Sequence, residues 1–99
     1  MRRAARRDDN EQDIIKAMRA EGAYVKQIND EGLFDLLVSY KGPSGKHHCL
    51  LLEIKDGSKP PSARRLTPAE QKFHDEWPGD NLYIVNSVEE AIALLRTCG

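Results

Sequence analysis

The sequence lacks any long apolar run and contains few cysteines. No window approaches the roughly 18 apolar residues of a membrane-spanning helix, and no apolar segment of a signal peptide follows the arginine-rich start. The two cysteines, Cys49 and Cys98, have neither the spacing nor the context of a disulfide framework or a zinc site. We therefore expect a cytoplasmic protein without a membrane partner.

An excess of either charge sign is also missing. The net charge of −1 argues against a surface that binds a polyanion over its whole area. Basic residues nevertheless cluster at the start and in a Pro- and Ser-rich stretch: Arg2, Arg3, Arg6, Arg7, Lys59, Arg64 and Arg65. Taken alone, each cluster is typical of a solvated tail or loop. We expect one domain over 1–99 with a modest core, of which 1–9 form a flexible basic tail.

Hydrophobic periodicity and turn residues predict the order helix, three strands, helix, strand, helix. Asn10 and Gly22 are expected to cap the first helix. Thr67 to Glu70 and Ser87 to Glu90 have the capping-box pattern that starts a helix. The predicted elements are a helix over 10–21, strands over 24–28, 34–40 and 48–55, a loop over 56–65, a helix over 68–77, a strand over 82–85 and a helix from 88.

The connections predict an α/β fold. A hairpin joins the second and third strands, and a right-handed crossover places the fourth strand parallel to the third. The continuous apolar runs 36–38 and 50–52 favour a mixed sheet that is covered on both faces by helices.

The third strand ends in an unusual pair of charges, Glu53 and Lys55, which point to the same face. If the hairpin turn is Pro43 to Gly45, paired residue numbers sum to 88 and Asp35 stands opposite Glu53. A register that sums to 87 would send Asp35 to the other face. In the first case two carboxylates and a lysine converge, and a divalent cation would relieve their repulsion. The alternative is a frayed, solvated strand end.

Glu11 lies on the same helical stripe as Ile14, Ile15 and Met18, which turns it toward the core. Its other interpretation is a charge that complements the helix dipole in the first turn.

These features resemble the PD-(D/E)XK nuclease superfamily, which has an αβββαβ core, an Asp on the second strand and a Glu-x-Lys on the third. Asp35 in GLFDLLV and the pair in LLEIKDG match this signature. The segments LTPAEQKFHDEW and LYIVNSVEEAIALL are similar to the later helix and closing elements of the small VRR-NUC-type nucleases of phages and bacteria. Phe34 departs from the Pro that precedes the Asp of the signature. The resemblance implies a restriction-endonuclease-like core plus a C-terminal helix.

It also implies Mg²⁺-dependent hydrolysis of DNA phosphodiester bonds, with Mn²⁺ as a substitute and no small-molecule cofactor. Asp35, Glu53 and the main-chain carbonyl of Ile54 would hold the metal, and Lys55 would orient the attacking water. Glu11 would bind a second metal or a metal-bound water, and Gln71 would orient Lys55 or the water.

The implied partner is DNA, branched as in a four-way junction, cut by a homodimer in a bacterial or phage-infected cell. The expected DNA contacts are the basic side chains Lys46, His47, Lys59, Arg64, Arg65 and Lys72. Two alternatives stay open: a non-catalytic nucleic-acid-binding module of the same fold, and a nuclease for simple duplex or single-stranded ends.

Overall fold

The computed structural model describes residues 8–30 and 32–99. The predicted order of elements is confirmed, and most predicted boundaries shift by one or two residues. None of the helices in these described ranges is long and apolar enough to cross a membrane. The elements are α1 (Glu11–Ala20), β1 (Tyr24–Gln27), β2 (Leu36–Lys41), β3 (His47–Ile54), α2 (Pro68–Glu76), β4 (Leu82–Val85) and α3 (Val88–Arg96).

Two predictions about segments need adjustment. A short 3₁₀ helix, Pro61–Arg64, interrupts the stretch that was predicted to be a loop. Two successive prolines preset the backbone at its start, and Ala63 N donates to the Pro60 carbonyl at 2.9 Å. The predicted tail over 1–9 lies outside the described residues except for Asp8 and Asp9.

The strands form one mixed sheet in the order β1-β2-β3-β4. The hairpin register is the predicted one, because Leu36 pairs with Leu52 and Lys41 with His47, so that paired numbers sum to 88. Strand β4 runs parallel to β3, as the crossover predicts. The sheet therefore places the ends of β3 and β4 at one edge, next to the start of β2.

One face of the sheet carries the core. Alternate side chains of the strands pack there against the apolar stripes of α1 and α3 and are almost fully buried. The largest members are Ile14, Met18, Leu36, Leu52, Ile54 and Leu95.

The other face is only partly covered, so the prediction of a sheet that is buried on both faces is wrong here. Helix α2 has no buried residue of its own. Its Phe73 ring stacks on Phe34, just before β2, with centroids 5.9 Å apart, and lies 5.6 Å from the Trp77 ring at the end of α2. Glu70 at the start of α2 bonds to Lys55 after β3. Tyr24 stays 64% exposed and Ile84 46% exposed.

The helix ends follow the predicted capping with two differences. Gly22 has a φ of 97° after α1, and Thr67 closes a complete capping box with Glu70. Asn10, however, forms no side-chain cap. Ser87 accepts from the Glu90 backbone, but the Glu90 carboxylate bonds to Asn86 instead of to Ser87, so this box is half formed.

Candidate active site

A cleft opens where the start of β2, the end of β3 and the start of α2 meet. It has a volume of about 960 Å³ and is lined by charged side chains of both signs. The acidic residues Asp35, Glu53 and Glu70 and the basic residues Lys55, Lys59 and Arg65 all contribute to its wall. The cleft therefore offers a polar, solvent-reachable site next to the buried end of the sheet.

Asp35 and Glu53 face one another across β2 and β3. Asp35 N donates to the Leu52 carbonyl at 2.8 Å, which continues the strand register by one residue. Asp35 Oδ2 accepts from the Ile54 backbone N–H at 2.7 Å, and this bond fixes the Asp35 carboxylate beside β3. Glu53 is only 2% exposed. The predicted convergence of these two carboxylates is thus present.

The surroundings of Glu53 disfavour a negative charge on it. Burial comes first, followed by the repulsion of Asp35 and Glu70, and together they raise the pKa of Glu53 from 4.5 to about 9. At neutral pH, and without a bound metal ion, the Glu53 side chain therefore holds a proton. A divalent cation between the carboxylates would replace that proton.

Lys55 lies beside this pair and is held by two carboxylates. Its Nζ donates to Glu70 Oε1 at 3.1 Å and lies 3.5 Å from Glu53 Oε2. Burial by itself lowers the pKa of Lys55, but the bond to Glu70, the charge of Glu53 once that group ionises and the charge of Glu70 outweigh it, and the net pKa is raised. Lys55 is therefore a charged ammonium group that points into the cleft.

Glu70 joins the start of α2 to the site. The same Oε1 that accepts from Lys55 also accepts from Thr67 N at 2.9 Å within the capping box. Burial raises the pKa of Glu70, but the bonds from Thr67 and Lys55 more than compensate, and the net pKa is lowered. Sequence reasoning assigned Glu70 only to the cap. No local sequence signal indicated its second role, because residues 55–67, with the 3₁₀ helix, separate α2 from the end of β3.

Asn10 fixes the backbone at the end of β3. Its side-chain Nδ2 donates to the carbonyls of Lys55 and Asn86, both at 3.1 Å. These two carbonyls belong to the ends of β3 and β4, so the first residue before α1 ties the parallel strands together. Sequence reasoning could not find this role, because the partners lie 45 and 76 residues away.

Asp8 also belongs to the cleft, although it was predicted to be part of a flexible tail. Burial raises the pKa of Asp8, and the nearby charges of Lys55 and Asp35 act on it in opposite directions. Its neighbour Asp9 lines the cleft as well and pairs with Lys59 at 3.5 Å.

Two predicted acid–base residues lie away from the cleft. Glu11 is 1% exposed and accepts from Gln27 Nε2 at 2.9 Å, which places it inside the fold and not in the cleft wall. Gln71 is exposed on α2 and donates to Asp75 Oδ1 at 2.8 Å. The adjacent position on α2, Glu70, is the one that reaches Lys55, because the helix starts with that residue turned toward the strand.

The predicted DNA contacts lie in three places. Lys59 and Arg65 line the cleft, and Arg64 is a half-buried neighbour in the 3₁₀ helix. Lys46 and His47 are exposed at the opposite end of β3. Lys72 is exposed on α2 and does not line the cleft.

The donor chemistry of the cleft fits a hard divalent cation, which prefers carboxylate and carbonyl oxygens. Within residues 8–30 and 32–99, no group of three or more His, Cys, Asp or Glu side chains is arranged to hold a metal ion. The implied ligands include only two side chains, the carboxylates of Asp35 and Glu53, and the third ligand is the main-chain carbonyl of Ile54. The implied set therefore has fewer than three ligating side chains.

Comparison with known proteins identifies no relative: no family model matches the chain, and no curated protein or solved structure matches it at a significant level.

Proposed function

We propose that the protein is a divalent-cation-dependent nuclease that hydrolyses phosphodiester bonds in DNA. The observation that carries the proposal is the convergence of Asp35 and Glu53 on adjacent strands, with the Lys55 ammonium group 3.5 Å from Glu53. The element order α1-β1-β2-β3-α2-β4-α3 agrees with the αβββαβ core of PD-(D/E)XK nucleases followed by one helix.

Asp35, Glu53 and the carbonyl of Ile54 would hold a Mg²⁺ or Mn²⁺ ion. Such an ion, when bound, polarises a phosphate and lowers the pKa of a water molecule. The carboxylate of Asp35 is already oriented by the bond from Ile54 N. Because this orientation exists before any ligand binds, it requires no rearrangement during the reaction.

Lys55 would donate a hydrogen bond to the reacting phosphate or to the attacking water. Its ammonium group is held at the cleft wall by Glu70, whose charge keeps Lys55 protonated. Lys59 and Arg65, in the same wall, would contact neighbouring phosphates and position the DNA without reading its sequence. Glu11 and Gln71 do not reach the cleft, so we give them no direct role in the chemistry.

The proposal is tested by incubating the protein with labelled linear, flap and four-way DNA in Mg²⁺, in Mn²⁺ and in EDTA. We expect cleavage with either metal and none in EDTA, with a preference for the branched substrates. Lys55→Ala and Asp35→Asn should each abolish cleavage, because the first removes the ammonium group and the second one anionic ligand.

Asp30→Asn is the matched control, since this exposed carboxylate lines the same cleft but has no place in the proposed ligand set. It should cleave like the wild type. Binding of DNA without cleavage in both metals would contradict the proposal and favour the non-catalytic module. Equal rates on all substrates would overturn the preference for branched DNA alone.

The homodimer stays a prediction, and sedimentation of the protein on branched DNA checks it.

A further inference from the structure

The uncovered part of the second sheet face runs along β1 and β2 toward the cleft, whereas on β3 Leu51 is buried between Cys49 and Glu53. We call this uncovered part the open strip. Its members are exposed side chains of β1, β2 and β3 that α2 does not cover: Tyr24, Lys26, Ser39, Lys41, His47 and Cys49. The half-buried Leu37 lies between them.

The strand register places the open strip in line with the two carboxylates. Lys41 pairs with His47, and Tyr24 pairs with Ser39, which pairs in turn with Cys49. Asp35 lies four residues before Ser39 on the same face, a distance of about 14 Å at the rise of an extended strand. A linear ligand that runs along β1 and β2, past the half-buried Leu37, would therefore reach the site at Asp35 and Glu53.

The chemistry of the open strip suits a single strand of nucleic acid. Tyr24 presents a ring that is 64% exposed, and an exposed aromatic ring on a sheet is a stacking surface for an unpaired base. Lys26, Lys41 and His47 supply donors for phosphates. The one acidic residue in the sequences of β1, β2 and β3 is Glu53, at the far end.

A second copy of the chain fits the same surface poorly. A twofold axis through the strip would place Lys26 and Lys41 of one copy opposite the lysines of the other copy. Their like charges would repel each other. Leu37 is only half-buried, its partner Leu51 on β3 is already buried, and the exposed Ile84 lies beyond the strip on β4. The strip therefore offers little exposed aliphatic surface, whereas homodimer interfaces are more apolar than the average surface.

We propose that the open strip binds a single-stranded segment of DNA and leads it into the cleft. Tyr24 stacks on a base, and Lys26 and Lys41 contact the phosphates on either side of it. This inference rests on the proposed nuclease function and deepens it, because it specifies substrates that have a single-stranded arm or end.

The experiment measures fluorescence anisotropy of a short labelled oligothymidylate, and of a duplex of the same length, in EDTA. We expect tighter binding of the single strand. Tyr24→Ala should weaken it about tenfold, and Lys26→Ala or Lys41→Ala should each reduce the salt dependence by about 0.7 in log–log slope. The matched controls are Tyr83→Ala, at a partly exposed tyrosine on the opposite face, and Lys16→Ala, at an exposed lysine on α1. Both should bind like the wild type.

Unchanged affinity in the Tyr24 and lysine variants would overturn the inference while leaving the nuclease proposal untouched. A shift from dimer to monomer in sedimentation of Tyr24→Ala would also overturn it, since a second copy would then cover the strip. Weakened binding in these variants, combined with a wild type that cleaves no DNA, would support the strip and contradict the nuclease proposal.

Discussion

A single asparagine connects three elements at the candidate site. Asn10 donates to the carbonyls of Lys55 and Asn86 and thereby joins the start of α1 to the ends of β3 and β4. We expect Asn10→Ala to lower the free energy of unfolding by about 1 to 2 kcal/mol through the loss of two partly buried hydrogen bonds. Asn10→Asp should destabilise the protein more, because its oxygens accept and would face two carbonyl oxygens.

Urea denaturation of the two variants checks this expectation, with Gln12→Ala, at an exposed position of α1, as the control. The control should stay within about 0.5 kcal/mol of the wild type. If Asn10→Asp were as stable as the wild type, the two bonds would have no role in joining the strands.

Among individual residues, the sequence predicted those whose position follows from strand alternation. Asp35, Glu53 and Lys55 are set by the hairpin register, which depends on neighbouring residues of the chain. The contacts of Asn10 and Glu70 depend on how helices dock against distant strand ends, and no local pattern encodes that distance. Gln71 illustrates the difference, since one helical position separates it from the residue that reaches Lys55.

Among the elements, α2 depends most on its ends. It has no buried residue, so its capping box and the bond between Glu70 and Lys55 carry much of its attachment. We expect Thr67→Ala to cost about 1 kcal/mol and to increase hydrogen exchange of the α2 amides more than that of β3. Ser87→Ala, which removes the equivalent hydroxyl from α3, is the control. Equal acceleration in α2 and β3 would contradict this picture.

The order and pairing of the elements could be predicted because turns and crossover handedness restrict the topology strongly. The cover of the second sheet face could not. The apolar runs at 36–38 and 50–52 suggested two buried faces. Leu51 is buried on the second face, but Leu37 is only half-buried there, and Ser39 and Cys49 are exposed. How far a helix extends over a sheet depends on its docking angle, which periodicity does not encode.

For the whole molecule, Glu53 should link stability to pH. Its pKa is raised from 4.5 to about 9 in the folded protein, mainly by burial. The folded state thus holds the proton more tightly, so this contribution is complete below about pH 4.5 and is lost as the pH rises through about 9. Between about pH 6 and 8 in EDTA, the wild type should lose about 2 to 3 kcal/mol relative to Glu53→Gln, which cannot titrate.

Urea denaturation of both proteins across this range measures the difference. Glu89→Gln, at an exposed position of α3, should follow the wild type. Parallel pH curves for the wild type and Glu53→Gln would show that Glu53 is ionised in the folded protein at neutral pH.

The central claim is that Asp35 and Glu53 together form a site for a divalent cation, and Mn²⁺ binding without DNA tests it most directly. We predict that electron paramagnetic resonance titration shows one Mn²⁺ bound by the wild type and by Asp30→Asn, with loss of binding in Asp35→Asn and Glu53→Gln. Mn²⁺ affinity that is equal in all four proteins, or absent from the wild type, would contradict the claim.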